Sequence, residues 1–218
     1  PGEALCRAPM PRSTSTSVRA YQGEVESLTQ ASTAGVGVRV VVDHREGFAY
    51  AGTLDEAVVL DAVAEARDNA TFSEPDEHNG LAEPDGVEAP ELDLWREGLA
   101  SVPTEVKVAL ALELERATTS RDPRVTGVRT AVCSDGRGEG AVATSTGIRA
   151  WGRASSCHLA VQALAVQDGE TQIASGLSVG RDLPDLDVEE AAADAVLRAT
   201  RLLGSTKPDT QRVALVLE

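Results

Sequence analysis

Aromatic residues are almost missing from this 218-residue chain: two Trp, two Tyr and two Phe, or 3%. A core made without them must be assembled from Ala, Val and Leu, with many small contacts in place of a few large ones. Basic residues are also short, 20 against 35 acidic, and the net charge of −15 argues against nucleic acid as a direct partner. Phosphate neutralisation needs a Lys/Arg stripe, and no such stripe is seen. No apolar run reaches the roughly 18 residues of a membrane-spanning helix. Pro1 to Arg12 has neither the basic start nor the apolar stretch of a signal peptide. Cys6, Cys133 and Cys157 form an odd set without CxxC spacing, which suits a reducing compartment, so a cytoplasmic protein is expected.

Three histidines limit the chemistry further. His44 falls in a hairpin turn, His78 in an acidic stretch and His158 in a strand. HExxH, HxH and Cys/His clusters are absent, so no zinc site is read from these residues. Cys157-His158 is an adjacent pair of soft ligands, but neighbours on a strand point to opposite faces. Cys157 reads as a small buried residue and His158 as an exposed one. Gly35-Val-Gly37 precedes a strand rather than a helix, which fits a tight turn and not a dinucleotide loop. The run Ser13–Ser17 has no partnered base and reads as a flexible lead into the first strand. Asp135 beside Gly136 reads as a turn residue. No catalytic, cofactor-binding or metal-binding residue is assigned.

What is present is a pattern of short elements. Val18 and Ala20, then Val25, Ser27 and Thr29, alternate around Gln22-Gly23 and predict a hairpin. Val36–Val42 and Phe48–Ala51 predict a second, turning at His44–Gly47. Thr53-Leu-Asp-Glu56 has the form of a capping box ahead of a helix marked by Val59, Ala62, Val63, Ala66 and Ala70. Glu74 to Glu97 holds nine acidic residues and one basic one, with Pro75, Pro84 and Pro90, and reads as a linker or extended surface loop. A second helix follows Pro103 and stops near Arg121-Asp122-Pro123. Four strand segments are then predicted, Val125–Ser134, Gly140–Ser145, Ile148–Gln167 and Thr171–Val179, with turns at Gly136-Arg-Gly138 and Asp168-Gly169. The third segment is expected to bend near Ser155-Ser156. Asp187 opens a last helix, with Gly204 as its stop. Arg212–Leu217 begins another strand. Ending there with no flanking turn, and starting without Met, the sequence reads as a truncated chain.

The expected fold is therefore α/β (α+β), antiparallel hairpins with packed helices in two modules. The order is β-β-β-β-α and then α-β-β-β-β-α, with boundaries at 13–73, a linker 74–103, 104–204, and 205–218 as the first strand of a further domain.

Val18-Arg-Ala-Tyr-Gln-Gly-Glu-Val-Glu-Ser27, Gly35-Val-Gly-Val-Arg39 and Gly47-Phe-Ala-Tyr50 together resemble the N-terminal signature of the TldD/PmbA family. Ala66-Arg-Asp-Asn-Ala70, Asn79-Gly-Leu81 and the Ala-rich helix ending in Leu202-Leu203-Gly204 continue the resemblance, which covers Ser13 to Glu218. It implies a cytoplasmic two-subunit metalloprotease with an internal chamber for unfolded peptides. In such a pair the TldD-type subunit carries zinc on HExxxH, and the PmbA-type (TldE) subunit lacks that motif. The family's ligands match no position here, and its motif falls just after the last predicted strand. The ending Leu215-Val-Leu-Glu218 resembles the PmbA version, and Pro1–Arg12 departs from the family's opening helix and strand. The resemblance thus implies the N-terminal part of a PmbA/TldE-like subunit, with a zinc-bearing TldD-like partner and unfolded peptides as substrate. The alternatives are a non-enzymatic module, of the modulator of DNA gyrase type, that acts by protein contact, or a TldD-type catalytic subunit cut before its motif.

Overall fold

A computed structural model of the chain describes residues 3–87, 90–207 and 209–214, with side chains from Arg12 onward. The first four strands are β1 (Glu3–Tyr21), β2 (Glu24–Ala34), β3 (Val36–Val42) and β4 (Arg45–Ala51), and helix α1 (Glu56–Phe72) follows them. After the extended acidic stretch come a 3₁₀ turn at Glu97–Ser101, α2 (Thr104–Ser120), β5 (Val125–Thr144), β6 (Arg149–Gln167), β7 (Glu170–Gly180) and α3 (Val188–Leu202). The fold is α+β with antiparallel strands, as expected. The strands make one seven-stranded sheet in the order β4-β3-β1-β5-β6-β7, with β2 paired to β1.

The long strand β1 holds the sheet together. One edge pairs with β3 over Glu3–Cys6 and with β2 over Arg12–Tyr21, and the other edge pairs with β5. The expectation that Pro1–Arg12 is neither helix nor strand is thus corrected from Glu3 onward. Pro9 and Pro11 have no N–H to donate, and the β1–β5 ladder skips at this point, between Ala8 and Arg12. Those prolines hid the strand in the sequence.

A second correction concerns Gly136-Arg-Gly138. No turn forms there; β5 runs through, so the second half has three strands where four segments were expected. Both edges are occupied: Gly136 pairs with Ser15 of β1 and with Ser156 of β6. A glycine held by two neighbours has no reason to leave the ladder. Nor does the β5–β6 pairing shift at Ser155-Ser156, where a bend was expected. What changes there is the far edge, because β7 pairs with β6 only from Cys157.

The turns obey their residues. Gln22-Gly23 and Asp168-Gly169 have positive φ throughout, as two-residue hairpins need. The second hairpin turns at Asp43-His44 (φ 49° and 61°), so Arg45–Gly47, expected in the turn, belong to β4. Helix α1 also begins later than its capping-box pattern implies. Asp55 is the cap, accepting from the N–H groups of Ala57 and Val58 at 3.0 and 3.3 Å, and Thr53 only supports it by accepting from the Asp55 N–H. A carboxylate at the positive helix end is a stronger acceptor than a hydroxyl. In α3 the expected cap, Asp187, accepts from the Glu190 N–H at 2.9 Å, and Gly204 follows the helix at φ 73°.

Two apolar clusters result. Helix α1 covers β3 and β4, burying Ala62 and Ala66 against Val38, Val40, Ala49 and Ala51. Helices α2 and α3 cover β1, β5 and β6 in a larger cluster that includes Leu99, Leu114, Leu159, Ala191 and Ala195. Along β6, Ser155, Cys157, Leu159, Val161, Ala163 and Ala165 are buried in strict alternation, the period-2 signature of a strand with one covered face. The acidic stretch has no helix or strand between Glu74 and Arg96 in its described residues. Its backbone is tied down at both ends, by Asp76 N–H to the His44 carbonyl (3.0 Å) and by Ser155 N–H to the Leu94 carbonyl (2.8 Å). Beyond Gly204, Arg212–Ala214 form no strand, and Leu215–Glu218, with the rest of that expected strand, lie outside the described residues.

Candidate functional site

The polar interior of the molecule lies where α2 meets the β1–β5 face. Pro103 sets the helix start with φ −58° and has no side-chain acceptor to cap the first N–H groups. Lys107, one turn further, lies on the stripe continued by Ala111, Leu114 and Thr118, so it turns inward with the apolar residues. Facing it is Asp135 of β5, whose neighbours across the sheet are Thr16 and Cys157. Lys107 Nζ lies 2.6 Å from Asp135 Oδ1, and the side chains are only 5% and 10% exposed. The contact is one of charge without hydrogen-bond alignment, and Asp135 Oδ1 has no aligned donor among the described residues. Desolvating both ions offsets much of their attraction, so such a pair is weak ground for a purely stabilising role.

A cleft of about 480 Å³ opens above the pair. Its walls are the hydroxyl-rich strands β1 and β2 on one side and Leu99–Thr104 on the other. Cross-strand register places Thr14 between Ser32 and Arg137, and Thr16 between Gln30 and Asp135. Arg137 Nε donates to Thr14 Oγ1 at 2.9 Å, and Gln30 Nε2 reaches Thr104 Oγ1 at 3.4 Å. A second cleft of about 470 Å³ shares Thr14, Ser32 and Arg137 with the first and continues past Trp95. The Arg153 guanidinium lies 4.9 Å from the Trp95 ring centre. The two form one polar groove.

A third cleft, about 610 Å³, lies beside the first hairpin turn. Its buried carboxylate, Glu115, accepts from the N–H groups of Gln22 and Gly23 at 2.6 and 3.0 Å. Those two bonds satisfy the charge and lock the turn onto α2. It is a structural site.

Other residues singled out in the sequence are dispersed. Cys157 is buried, and burial with Asp185 and Asp182 nearby pushes its thiol up to about 11. Burial and Asp135 push Cys133 up to about 12, so neither is a thiolate nucleophile at neutral pH. His158 is half-buried on the opposite face of β6. His44 Nδ1 lies 3.3 Å from the Asn79 carbonyl, and His78 is exposed beside Glu77. Among the described residues no three His, Cys, Asp or Glu side chains are grouped to hold a metal, and no helix is long and apolar enough to cross a membrane.

Two sequence readings change here. Ser13–Ser17 is not a flexible lead but the middle of β1, paired on both edges. Asp135 is not a turn residue but a buried ion partner within β5. Lys107 and Arg137 were not foreseen at all. The one available signal was a lysine at stripe spacing from Ala111 and Leu114; nothing in the sequence pairs it with Asp135.

Comparison with known proteins agrees with this architecture. Residues 11–70 match the PmbA/TldA metallopeptidase domain 1, and residues 97–203 match the PmbA/TldA metallopeptidase central domain. Metalloprotease PmbA of Escherichia coli O157:H7 is 27% identical over 209 residues, which cover 94% of this chain and 46% of that protein. A Metalloprotease PmbA homolog of Haemophilus influenzae is 30% identical over 111 residues, covering 50% of this chain and 24% of its own length. The chain therefore spans less than half the length of these relatives. Among solved structures, TldE of Thermococcus kodakarensis superposes with a TM-score of 0.74 at 19% identity, over 91% of this chain and 44% of that one. A protein of Bacteroides thetaiotaomicron assigned as a modulator of DNA gyrase gives 0.79 at 20% identity, over 95% and 47%. At these identities the structural likeness speaks for the fold.

Proposed function

Because the chain belongs to the PmbA/TldD metallopeptidase family and is PmbA/TldE-like within it, we propose that it is the N-terminal part of an accessory subunit in a two-subunit cytoplasmic protease. The observation that carries this reading is the ordered match to both family domains, together with relatives named Metalloprotease PmbA. In this proposal zinc and the hydrolytic step belong to a TldD-like partner, and the substrate is an unfolded peptide. The described residues offer no metal-ligand cluster, so no step of hydrolysis is assigned to them. Their role is to shape and line the space in which a peptide is held. We further propose the unit boundaries 13–73 and 104–204, joined by 74–103, with 205–218 opening a further domain.

Co-expression of the full-length protein with the TldD-like subunit of the same genome tests the proposal. The expected result is a stable complex that degrades an unfolded peptide, with neither subunit active alone. Failure to form a complex would sink it, and stoichiometric zinc in the full-length protein alone would assign it to the TldD type.

A further inference from the structure

We propose that the groove between the N-terminus of α2 and the β1–β2–β5 face binds the C-terminal residue of a peptide. The inference narrows the peptide-handling reading above to one end of the chain, and it rests on that reading.

Charge comes first. The first cleft is lined by two cations, Lys107 and Arg137, and one anion, Asp135, in a protein whose net charge is −15. With Lys107 and Asp135 offsetting each other, Arg137 is the surplus charge, and it meets no carboxylate among the described residues. The start of the 17-residue helix α2, where Pro103 offers no side-chain cap, adds its positive end to the same space, with Pro103 and Thr104 in the cleft wall. These donors call for an anion. The anion need not displace any protein group, because Thr14 is the partner that Arg137 uses through Nε alone, leaving the rest of its fork to donate.

The second requirement is opposite in kind. The Asp135 side chain is nine-tenths buried, yet its Oδ1 receives no aligned hydrogen bond from any described residue. Lys107 occupies the side of Oδ1. Asp135 lines the cleft, and its other oxygen, Oδ2, is the acceptor offered to a ligand there. The ligand must therefore bring an acceptor anion and, beside it, a donor. The last residue of a peptide has both, a carboxylate and its own amide N–H, separated by a single carbon. Acetate lacks the donor, and a C-terminal amide lacks the charge. The adjoining cleft past Ser32 and Trp95 gives the preceding residues a place to lie, and each cleft is within the size range of ordinary ligand sites.

The test is equilibrium binding by calorimetry to the full-length protein without its zinc partner, so that no cleavage enters the reading. Three probes are compared: N-acetyl-tetra-alanine with a free carboxylate, the same peptide as its C-terminal amide, and acetate. The free acid is expected to bind with the amide and acetate each roughly tenfold weaker or more. Arg137→Gln should weaken the acid to about the level of the amide while leaving the amide unchanged. Rising ionic strength should weaken the acid selectively. Equal binding of acid and amide would overturn the assignment, as would an R137Q protein that binds the acid like wild type. Acetate binding as tightly as the peptide acid would overturn the part given to Asp135. If R137Q fails to fold, the three-probe comparison on the wild-type protein decides alone. Peptide degradation by the assembled pair is scored separately: degradation with no acid-over-amide preference sinks this site and leaves the protease reading standing, whereas the preference without degradation does the reverse.

Discussion

Two helix-on-sheet contacts in this molecule solve the same problem with different residues around them. Where α1 crosses β4, Gly47 lies under Ala66 and Ala70; where α3 crosses β7, Gly176 lies under Ala191 and Ala195. A Cβ at Gly47 would overlap the Ala66 carbonyl, and one at Gly176 would lie 2.8 Å from the Ala195 amide nitrogen. In each case a strand glycine and two alanines four residues apart let the helix backbone come down onto the sheet. This is how a chain with 3% aromatics closes its core. The contacts differ in what surrounds them. The buried cluster on the α1 side is apolar, with Val38, Val40, Ala49 and Ala51 beneath the helix. The other half has a second helix, α2, which takes Lys107 and Glu115 into the interior and leaves clefts beside both. Packing is shared between the halves; the buried charged side chains among the described residues, Lys107, Glu115 and Asp135, lie in one.

The largest effect should come from breaking the charged half. Lys107→Met leaves Asp135 buried without a counter-ion and should cost about 3–5 kcal/mol, whereas the double variant Lys107→Met with Asp135→Leu should recover most of that loss. Denaturant titration of both proteins measures the difference. If the single variant is as stable as wild type, the pair is not the isolated buried charge described above. The shared device comes next. Gly47→Ala and Gly176→Ala should each cost about 3 kcal/mol, because backbone atoms rather than flexible side chains must give way. Thermal melts of the two variants test whether the contacts are equivalent, and a neutral Gly47→Ala would show that α1 lies less tightly than α3. The smallest effect belongs to the helix caps. Asp55→Ala and Asp187→Ala should each cost about 1 kcal/mol, and hydrogen exchange in the first turn of α1 or α3 should rise in the matching variant only.

Much of the fold was legible in the sequence. The hairpin turn at Gln22-Gly23, the Asp187 cap and the stop at Gly204 were readable because each depends on a few adjacent residues with one strong preference. Thr53 and Asp55 show the limit of such reading: both are good caps two positions apart, and only the path of the chain out of β4 chooses the carboxylate. Gly136-Arg-Gly138 shows another. Glycines favour a turn when an edge is free, and the sequence does not say that β1 and β6 flank them on both sides. The polar groove was least legible of all. Lys107 and Asp135 are far apart in the chain, and their types alone fit an exposed helix and a turn.

The sequence by itself determined an α+β chain with an alanine- and valine-based core, helices placed by their stripes and caps, and a strongly acidic segment. These properties are local or compositional: periodicity, turn chemistry and charge act over a few residues or are simple sums. Tertiary structure alone decided that β1 joins both halves into one sheet, that β5 is continuous, and that Lys107 meets Asp135 beneath a groove of hydroxyls. Those features come from strand pairing and helix docking between distant segments, and burial, which turns an ordinary lysine and aspartate into an interior ion pair, exists only once the segments have met.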